Sequence, residues 1–207
     1  MSLADDYRAN YEQIARDHIA HWRRTGQNPW QLPEHVEVVL PATVAMIERY
    51  TAGGDAILDA GCGMGDLAMR LPQRSWFGID LSADYVEIAC GRGVIAQVGD
   101  LMNLPYSSGF DAVVASDVLE HVLDLNAVLA ELLRVLRSGG VLVLKIPDGE
   151  DLTPYLAPDY PYRFVHLRRF DESSLRLLLD RVFDLDVLEV QRIFGTCAEL
   201  LVAARKR

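Results

Sequence analysis

The residues best suited to bind a ligand lie between positions 57 and 71, where a short apolar run ends in a carboxylate. That acid is Asp59, and glycines follow it at alternating positions, at Gly61, Gly63 and Gly65. Glycine permits backbone conformations that a Cβ forbids, and it lets a ligand lie against the main chain. The pattern predicts a buried strand that turns sharply into a helix, whose first N–H groups are free to meet a ligand.

The spacing of these glycines separates two kinds of nucleotide-binding turn. A dinucleotide-binding turn has Gly-x-Gly-x-x-Gly and holds a pyrophosphate at the helix N-terminus. Here Asp66 stands where the last glycine would be, and its charge would repel a pyrophosphate. The acid and the alternating glycines instead resemble the first motif of the class I S-adenosylmethionine-dependent methyltransferases, in particular the small-molecule enzymes of types 11 and 12. For the loop taken alone, a tight turn that binds nothing stays open as the alternative.

The resemblance implies a cofactor and a role for each residue of the loop. S-adenosylmethionine would be the methyl donor, and S-adenosylhomocysteine would be the product. In that family the acid at the strand end, here Asp59, lies near the methionine ammonium of the donor, and the glycines pass beneath the ligand. Cys62, between the first two glycines, is assigned to the same donor-binding loop.

A second acid, Asp80, ends the apolar segment 75–80, which is predicted to be the second strand. An α/β nucleotide-binding fold has a carboxylate about 20 positions after its glycine-rich turn, where it binds the ribose hydroxyls. Charged acceptors make the stronger hydrogen bonds, so Asp80 is assigned to the ribose and the adjacent Leu81 to the donor site. Ser82 is a predicted helix N-cap, and the alternative makes Asp80 part of that cap.

The next strand, predicted over 94–98, leads to Asp100 and Leu101. This stretch resembles the adenine segment of the family, in which an aspartate accepts from the adenine amino group and the following residue packs on the ring. An ordinary turn residue is the alternative for Asp100. Ser116, which follows the predicted fourth strand at 110–115, completes the expected donor contacts.

Two histidines are candidate catalytic bases. Methyl transfer from a sulfonium needs an acceptor in line with the methyl group, and a base helps when the acceptor is a hydroxyl. His121 lies in a Leu-Glu-His stretch that family members often carry beside the methyl group, and His166 lies among arginines. Histidine titrates near neutral pH, which suits a base, although either residue could be a packed or surface histidine.

Residues 147–170 contain four prolines, which makes a regular element unfavourable, and the segment is predicted to cap the acceptor. Tyr162, Arg163 and Arg168 are assigned to acceptor binding. The arginines favour a carboxylate or phosphate on the acceptor. The alternative is a solvated loop whose arginines pair with local acids.

The N-terminal residues 4–24 have the periodicity of a helix with one aromatic stripe. In related methyltransferases such a helix carries a lid over the donor, which would bring Tyr7 and Tyr11 to the site and makes Tyr11 a candidate substrate contact. Plain packing is the alternative. Residues 1–40 are therefore predicted to form a helical cap on a methyltransferase domain of residues 41–207.

Strands and helices alternate along the chain, and this order predicts an α/β fold. The last two strands, expected at 183–190 and 196–204, are separated by too few residues for a parallel crossover, so they should form an antiparallel hairpin. The prediction is a Rossmann-like, seven-stranded, mostly parallel sheet with a C-terminal antiparallel hairpin and helices on both faces. Such an ending is typical of the methyltransferases and not of the dehydrogenases.

Composition limits the partners. The chain has 207 residues and a net charge of −10, so its field repels nucleic acid and anionic membranes. Three cysteines without a CxxC pair predict a reduced compartment and no zinc site, and no apolar run approaches the ~18 residues of a membrane span. The prediction is a cytoplasmic protein that binds no metal, with the oligomeric state left open.

Three functions are compatible with this sequence. The favoured one is a methyltransferase that acts on an oxygen or nitrogen of a small molecule. The second is a non-catalytic protein of the same fold that binds S-adenosylmethionine or S-adenosylhomocysteine and regulates another process. An oxidoreductase with a nucleotide cofactor is disfavoured by Asp66 and by the terminal hairpin.

Overall fold

The computed structural model describes residues 2–28, 32–195 and 197–207, and within these residues seven strands form one sheet. The strands are β1 Ala56–Ala60, β2 Ser75–Asp80, β3 Ile95–Val98, β4 Phe110–Ser116, β5 Leu136–Pro147, β6 Leu185–Phe194 and β7 Ala198–Lys206. Their order across the sheet is β3-β2-β1-β4-β5-β7-β6. The first five pair in parallel, and β7 is antiparallel to both β5 and β6. The predicted sheet, with its antiparallel ending, is confirmed.

Six α-helices and three short helical turns surround this sheet in the described residues. The α-helices are α1 Leu3–Thr25, α2 Leu40–Tyr50, α3 Asp66–Arg70, α4 Ala83–Gly91, α5 Leu125–Val135 and α6 Glu172–Leu177. Two π-helical turns adjoin them, His35–Val39 before α2 and Leu178–Val182 after α6, and a 3₁₀ turn spans Thr153–Leu156. None of these helices is long and apolar enough to cross a membrane.

Buried side chains form one core cluster on each face of the sheet. Successive side chains of a strand point to opposite faces, so neighbours in β1 belong to different clusters. Leu58 packs in the cluster that includes Leu129 of α5 and Leu175 of α6. Ile57 packs in the cluster that includes Ile47 of α2. Helices therefore cover both faces, as the near-continuous apolar strands predicted.

Two boundaries differ from the sequence prediction. The apolar helical stripe at 125–136 and the glycine after it predict a helix that ends at Gly139 and a fifth strand that begins at position 140. In the structure α5 ends at Val135, and Leu136 already pairs with Phe110 of β4. Gly139 has φ 73° inside the strand, near the shift in register between β4 and β5. Strand pairing, which is a tertiary contact, thus ends the helix earlier than its own apolar pattern indicates.

The C-terminal half shows two further differences. The apolar spacing after Asp171 predicts a helix that begins there and buries Val182 on its apolar side. Val182 is 63% exposed, because the helix widens into a π-helical turn at Leu178–Val182. Strand β6 extends to Phe194, through most of the predicted turn. Thr196, the predicted start of the last strand, lies outside the described residues, as do residues 29–31 of the predicted loop before α2.

Asn10 joins α1 to the irregular segment 147–170. Its side-chain oxygen accepts hydrogen bonds from the N–H groups of Arg163 at 2.9 Å and Phe164 at 3.1 Å. Its side-chain nitrogen donates to the carbonyl of Phe164 at 2.7 Å. One amide side chain therefore satisfies three backbone groups of a segment that has little secondary structure of its own.

Replacing Asn10 with alanine should lower the free energy of unfolding by about 1–3 kcal/mol, because it leaves three backbone groups without partners. Urea denaturation measures the change. The control is Gln13→Ala on the same helix, whose side chain is exposed and bonds only to neighbours on α1. That control should change stability by less than about 0.5 kcal/mol. Equal effects of the two substitutions would mean that Asn10 does not fasten the segment.

Candidate functional site

A cavity of about 520 Å³ opens at the carboxyl ends of the central strands. Ligands of open α/β sheets bind at this edge, where the loops that follow neighbouring strands meet. The glycine-rich loop after β1, the residues that end β2 and β4 and those that follow β3 form one end of the cavity, which we call the donor end. The segment 147–170, the start of the loop after β4 and the adjoining residues Lys145 of β5 and Glu199 of β7 form the other, which we call the acceptor end. Side chains of α1 line both.

The three positions of the loop require glycine for different structural reasons. All have positive φ, at 81° for Gly61, 50° for Gly63 and 80° for Gly65. A Cβ on Gly61 would lie 2.5 Å from Val118, and one on Gly65 would lie 2.8 Å from Val94. A Cβ on Gly63 would have no atom within 4 Å. Gly61 and Gly65 therefore allow close packing, while Gly63 borders the open cavity.

Asp80 holds this loop in place. One of its carboxylate oxygens accepts from the Gly63 N–H at 2.9 Å, and the other accepts from the Ser82 N–H at 2.9 Å. Ser82 in turn caps α4 through its hydroxyl, so Asp80 supports that cap, as its alternative role predicted. Burial raises the pKa of Asp80, and these backbone hydrogen bonds oppose the rise. Each oxygen keeps a second lone pair that can accept from a ribose hydroxyl.

Asp59 is the most deeply buried acid of the donor end, with 3% of its surface exposed. Burial, together with the negative charges of Asp80 and Asp66, raises its pKa to about 7. A cation brought to this carboxylate would favour its ionised form. The donor end is therefore prepared for a positively charged group.

Nine of the ten residues predicted to bind the donor line the cavity: Asp59, Gly61, Cys62, Gly63, Asp80, Leu81, Asp100, Leu101 and Ser116. The exception is Gly65, which caps the start of α3 and does not reach the cavity wall. Asp100 also has the turn role that was its alternative, since its carboxylate accepts from the Met102 N–H at 2.9 Å. Burial raises the pKa of the Cys62 thiol.

The two predicted histidines lie together at the acceptor end. Their rings are 4.5 Å apart between centroids and nearly perpendicular. Nδ1 of His121 lies 3.0 Å from the Val165 carbonyl, and Nδ1 of His166 bonds to the Glu150 carboxylate. Burial, helped by His166, lowers the pKa of His121 to about 4, so this imidazole is neutral.

Glu120, which precedes His121, was not predicted from the sequence. Its side chain is 1% exposed, and neither oxygen has a hydrogen-bond partner among the described residues. Burial raises the pKa of its carboxyl group well above the ordinary value. The signal for Glu120 was its place in the Leu-Glu-His stretch, where only the histidine was considered.

Lys145 was missed as well, because it stands in an almost wholly apolar strand. It is 2% exposed and ion-paired with Asp117 at the cavity wall. Burial lowers its pKa, but Asp117 and Glu199 outweigh that effect and raise it. Asp117 has φ 55°, an unusual backbone conformation for a non-glycine residue that often occurs at functional sites.

The tyrosines of the predicted cap do reach the cavity. Tyr11 and Tyr162 line it, and so do Tyr155 and Tyr160, which the prediction had not assigned. The hydroxyl of Tyr11 donates to the Val165 carbonyl at 3.2 Å, and that of Tyr162 donates to Asp17 at 3.0 Å. Aromatic rings therefore form much of the roof of the acceptor end.

The structure does not bring the two predicted arginines to this cavity. Arg168 donates to the backbone carbonyls of Leu119, Val122 and Leu123 and so holds the loop after β4 from behind. The side chain of Arg163 is 66% exposed and pairs with Asp6 at 2.8 Å. The structure therefore places neither arginine at the acceptor, and it does not show the alternative of pairing with local acids either: Arg163 pairs with a distant acid and Arg168 with backbone carbonyls.

Comparison with known proteins places this geometry among methyltransferases. Residues 58–144 match the family described as "Methyltransferase domain". The chain is 38% identical over 120 residues to 27-O-demethylrifamycin SV methyltransferase of Amycolatopsis mediterranei, which covers 50% of this chain and 44% of that protein. It is 34% identical over 114 residues to tRNA (carboxymethyluridine(34)-5-O)-methyltransferase of Arabidopsis thaliana, covering 53% of this chain and 28% of that protein. The chain thus spans less than half the length of these two relatives.

One solved structure has the same fold over nearly its whole length. It is magnesium protoporphyrin IX methyltransferase from Synechocystis PCC 6803 with bound S-adenosylhomocysteine. The TM-score is 0.73 at 19% identity, and the match covers 97% of this chain and 98% of that one.

Proposed function

Since this chain carries a class I S-adenosylmethionine-dependent methyltransferase domain, with S-adenosylmethionine as its cofactor, we propose that it methylates an oxygen or nitrogen of a small molecule. The observation that carries the proposal is the division of one cavity into two ends. The donor end contains the glycine loop and the acids Asp59, Asp80 and Asp100, and the acceptor end contains polar and aromatic side chains. A ligand bound at the first would direct its methyl group towards the second.

The domain assignment stays as the sequence predicted it. Residues 41–207 form the methyltransferase domain in this proposal, residues 1–40 its helical cap, and residues 147–170 the cover of the acceptor. The hydrogen bonds of Asn10 to Arg163 and Phe164 support a common roof for α1 and the cover. The cytoplasmic location remains a prediction from the sequence.

The reaction is a direct displacement. The acceptor atom attacks the methyl carbon, its bond to carbon forms as the carbon–sulfur bond breaks, and the electron pair of the broken bond stays on sulfur. The protein supplies mainly position, which can account for about 7–11 kcal/mol of a barrier. The sequence assigned removal of the acceptor proton to His121 or His166, and both line the acceptor end. That role remains a proposal.

The acceptor class follows from charge and shape. One relative acts on tRNA by its name, but the net charge of −10 here disfavours a polyanion. The predicted preference for an anionic small molecule depended on Arg163 and Arg168. Both lie outside the cavity wall, so they give no support to that preference. The four tyrosines around the acceptor end instead favour a molecule with an apolar or ring portion.

Calorimetry with S-adenosylhomocysteine tests the donor site, and turnover of labelled donor on a panel of small hydroxyl and amine compounds tests the reaction. Binding to one site followed by methylation of a panel member is the expected result. The non-catalytic alternative predicts the same binding with no turnover on any compound. Absence of binding at millimolar ligand would remove the proposal altogether.

Donor binding should release a proton near pH 6. The pKa of Asp59 is raised to about 7 in the free protein, so the carboxyl group is mostly protonated at that pH. The ammonium of the ligand favours the ionised form and expels the proton. Affinity should therefore rise between about pH 5 and pH 7 and level off above it. Calorimetric titrations in two buffers of different ionisation enthalpy measure the number of protons released per ligand bound.

Asp59→Asn is the control for this effect, since it keeps the size of the side chain and cannot titrate. The variant should bind more weakly and should lose the proton release. Burial also raises the pKa of Glu199 to about 7, but this acid is at the acceptor end and is still present in the variant, so its share is subtracted. Proton release that persists in Asp59→Asn would assign the effect to another group.

A further inference from the structure

We propose that Glu120, His121 and His166 bind a divalent transition-metal ion at the acceptor end of the cavity. Each offers one ligand atom, and these atoms lie within 4.8 Å of one another. The three cysteines, which form no CxxC pair, predict no zinc site. The three ligand residues come together only in the fold, since His166 is 45 positions after His121.

The imidazoles are oriented as metal ligands are. A metal-binding histidine usually gives its other ring N–H to a carbonyl or a carboxylate, which fixes the tautomer and the direction of the ring. His121 has the Val165 carbonyl at 3.0 Å from Nδ1, and His166 has the Glu150 carboxylate at Nδ1. With these hydrogens donated, Nε2 of both rings carries a lone pair. Nε2 of His121 is 3.9 Å from the Glu120 carboxylate.

Glu120 supplies the independent reason for a cation. A carboxylate that is 99% buried without a hydrogen-bond partner is costly unless it is paired or binds a metal. Lys145 is ion-paired with Asp117. The acids Glu150 and Glu199 add further negative charge at the same end of the cavity. A divalent ion would balance this charge and give Glu120 a partner.

The donor set selects the kind of ion. Two imidazole nitrogens and one carboxylate oxygen suit Zn²⁺, Fe²⁺ or their first-row neighbours, whereas Mg²⁺ and Ca²⁺ prefer sets of oxygens. Three protein ligands leave positions for water or for an oxygen of the acceptor. The residues lie in the cavity wall, so those open positions border the cavity.

The consequence for catalysis rests on the proposed function. An acceptor hydroxyl bound to such an ion loses its proton to solvent water more readily. The ionised oxygen then attacks the methyl carbon, its bond to carbon forms, the carbon–sulfur bond breaks, and the electron pair remains on sulfur. The ion is neither oxidised nor reduced. His121 and His166 would in that case act as ligands and not as the base.

Metal titration of the purified full chain tests the site without any acceptor. After treatment with a chelator, Co²⁺ is added and its visible absorption is recorded, and Zn²⁺ is titrated by calorimetry. One equivalent of Co²⁺ should give d–d bands that Zn²⁺ abolishes. Glu120→Gln and His166→Gln should each weaken Zn²⁺ binding by at least ~100-fold. Glu150→Gln, which replaces the carboxylate partner of His166 with a neutral amide, should weaken Zn²⁺ binding by about 10–100-fold.

His21→Gln is the matched control, because this histidine is on α1 and outside the cluster. It should bind Zn²⁺ as the unaltered chain does. Failure of Co²⁺ and Zn²⁺ to bind, or equal binding by the cluster variants and the control, overturns the metal site. If the natural occupant is a protonated amine and not a metal ion, neither Co²⁺ nor Zn²⁺ should bind.

Titration of the same samples with S-adenosylhomocysteine separates this proposal from the function. If the unaltered chain binds S-adenosylhomocysteine but neither Co²⁺ nor Zn²⁺, the metal site alone is refuted. Absence of ligand binding in the unaltered chain refutes the proposed function instead. Thermal melting checks that Glu120→Gln is folded, and His166→Gln, with a partly exposed side chain, is the second variant should the first unfold.

Discussion

Replacing Asp80 with alanine is expected to weaken S-adenosylhomocysteine binding by at least ~100-fold. Two hydrogen bonds from ribose hydroxyls to a carboxylate are each worth about 1.5–3 kcal/mol, and 1.4 kcal/mol is a factor of ten in affinity. The substitution also removes the acceptors of the Gly63 and Ser82 N–H groups, so the loop loses its brace. Calorimetry measures the affinity, and thermal melting measures the effect on the fold.

The matched control for this variant is Asp84→Ala. Asp84 is an exposed acid in the first turn of α4 and does not line the cavity. The Asp84→Ala substitution removes the same negative charge four positions away without removing a cavity contact. Its effect on affinity should therefore be less than about twofold. An unchanged affinity in Asp80→Ala would show that this acid does not meet the ribose.

Replacing Gly63 with valine should abolish donor binding while leaving a folded protein. A Cβ at this position meets no atom within 4 Å, so the side chain has space in the free protein. That space is cavity, and the branched side chain would occupy it where the ligand should approach the main chain. The positive φ of 50° adds a strain of about 1–2 kcal/mol.

The control variant Gly54→Val separates the effect of backbone strain from the effect of a side chain that fills the cavity. Gly54 has φ 90° and no atom within 4 Å of its Cβ position, and it lies away from the cavity. Both variants should therefore lose some thermal stability, and only Gly63→Val should lose binding. Normal binding by Gly63→Val would mean that the ligand does not lie against the loop.

The donor end could be predicted because its information is local. Asp59 and Asp80 each end an apolar run, and the alternating glycines stand directly after the first of these runs. Parallel strands bring such ends to one edge of the sheet whatever the rest of the chain does. Gly65 is the exception, because it does not line the cavity and a Cβ there would lie 2.8 Å from Val94.

The acceptor end could not be predicted in the same way, because it is made by contacts between distant segments. Arg163 pairs with Asp6, which is 157 positions away, and Arg168 donates to carbonyls more than 40 positions away. Residue type alone indicates an anion-binding arginine equally well in both cases. Lys145 was missed because its neighbours in sequence are apolar, which predicts core packing. Glu120 was missed because only the histidine beside it was considered.

The contact of Asn10 with Phe164 also has a consequence during protein synthesis. The two residues are 154 positions apart, and a ribosome adds about 5–20 residues per second, so Phe164 is synthesised roughly 8–30 s after Asn10. The delay is shorter for the second half of α1, because His18 bonds to Tyr85 of α4. Until the later segment emerges, the Tyr11 hydroxyl also lacks the Val165 carbonyl to which it donates. The nascent chain can thus assemble its glycine loop beneath a helix that is anchored at one end only.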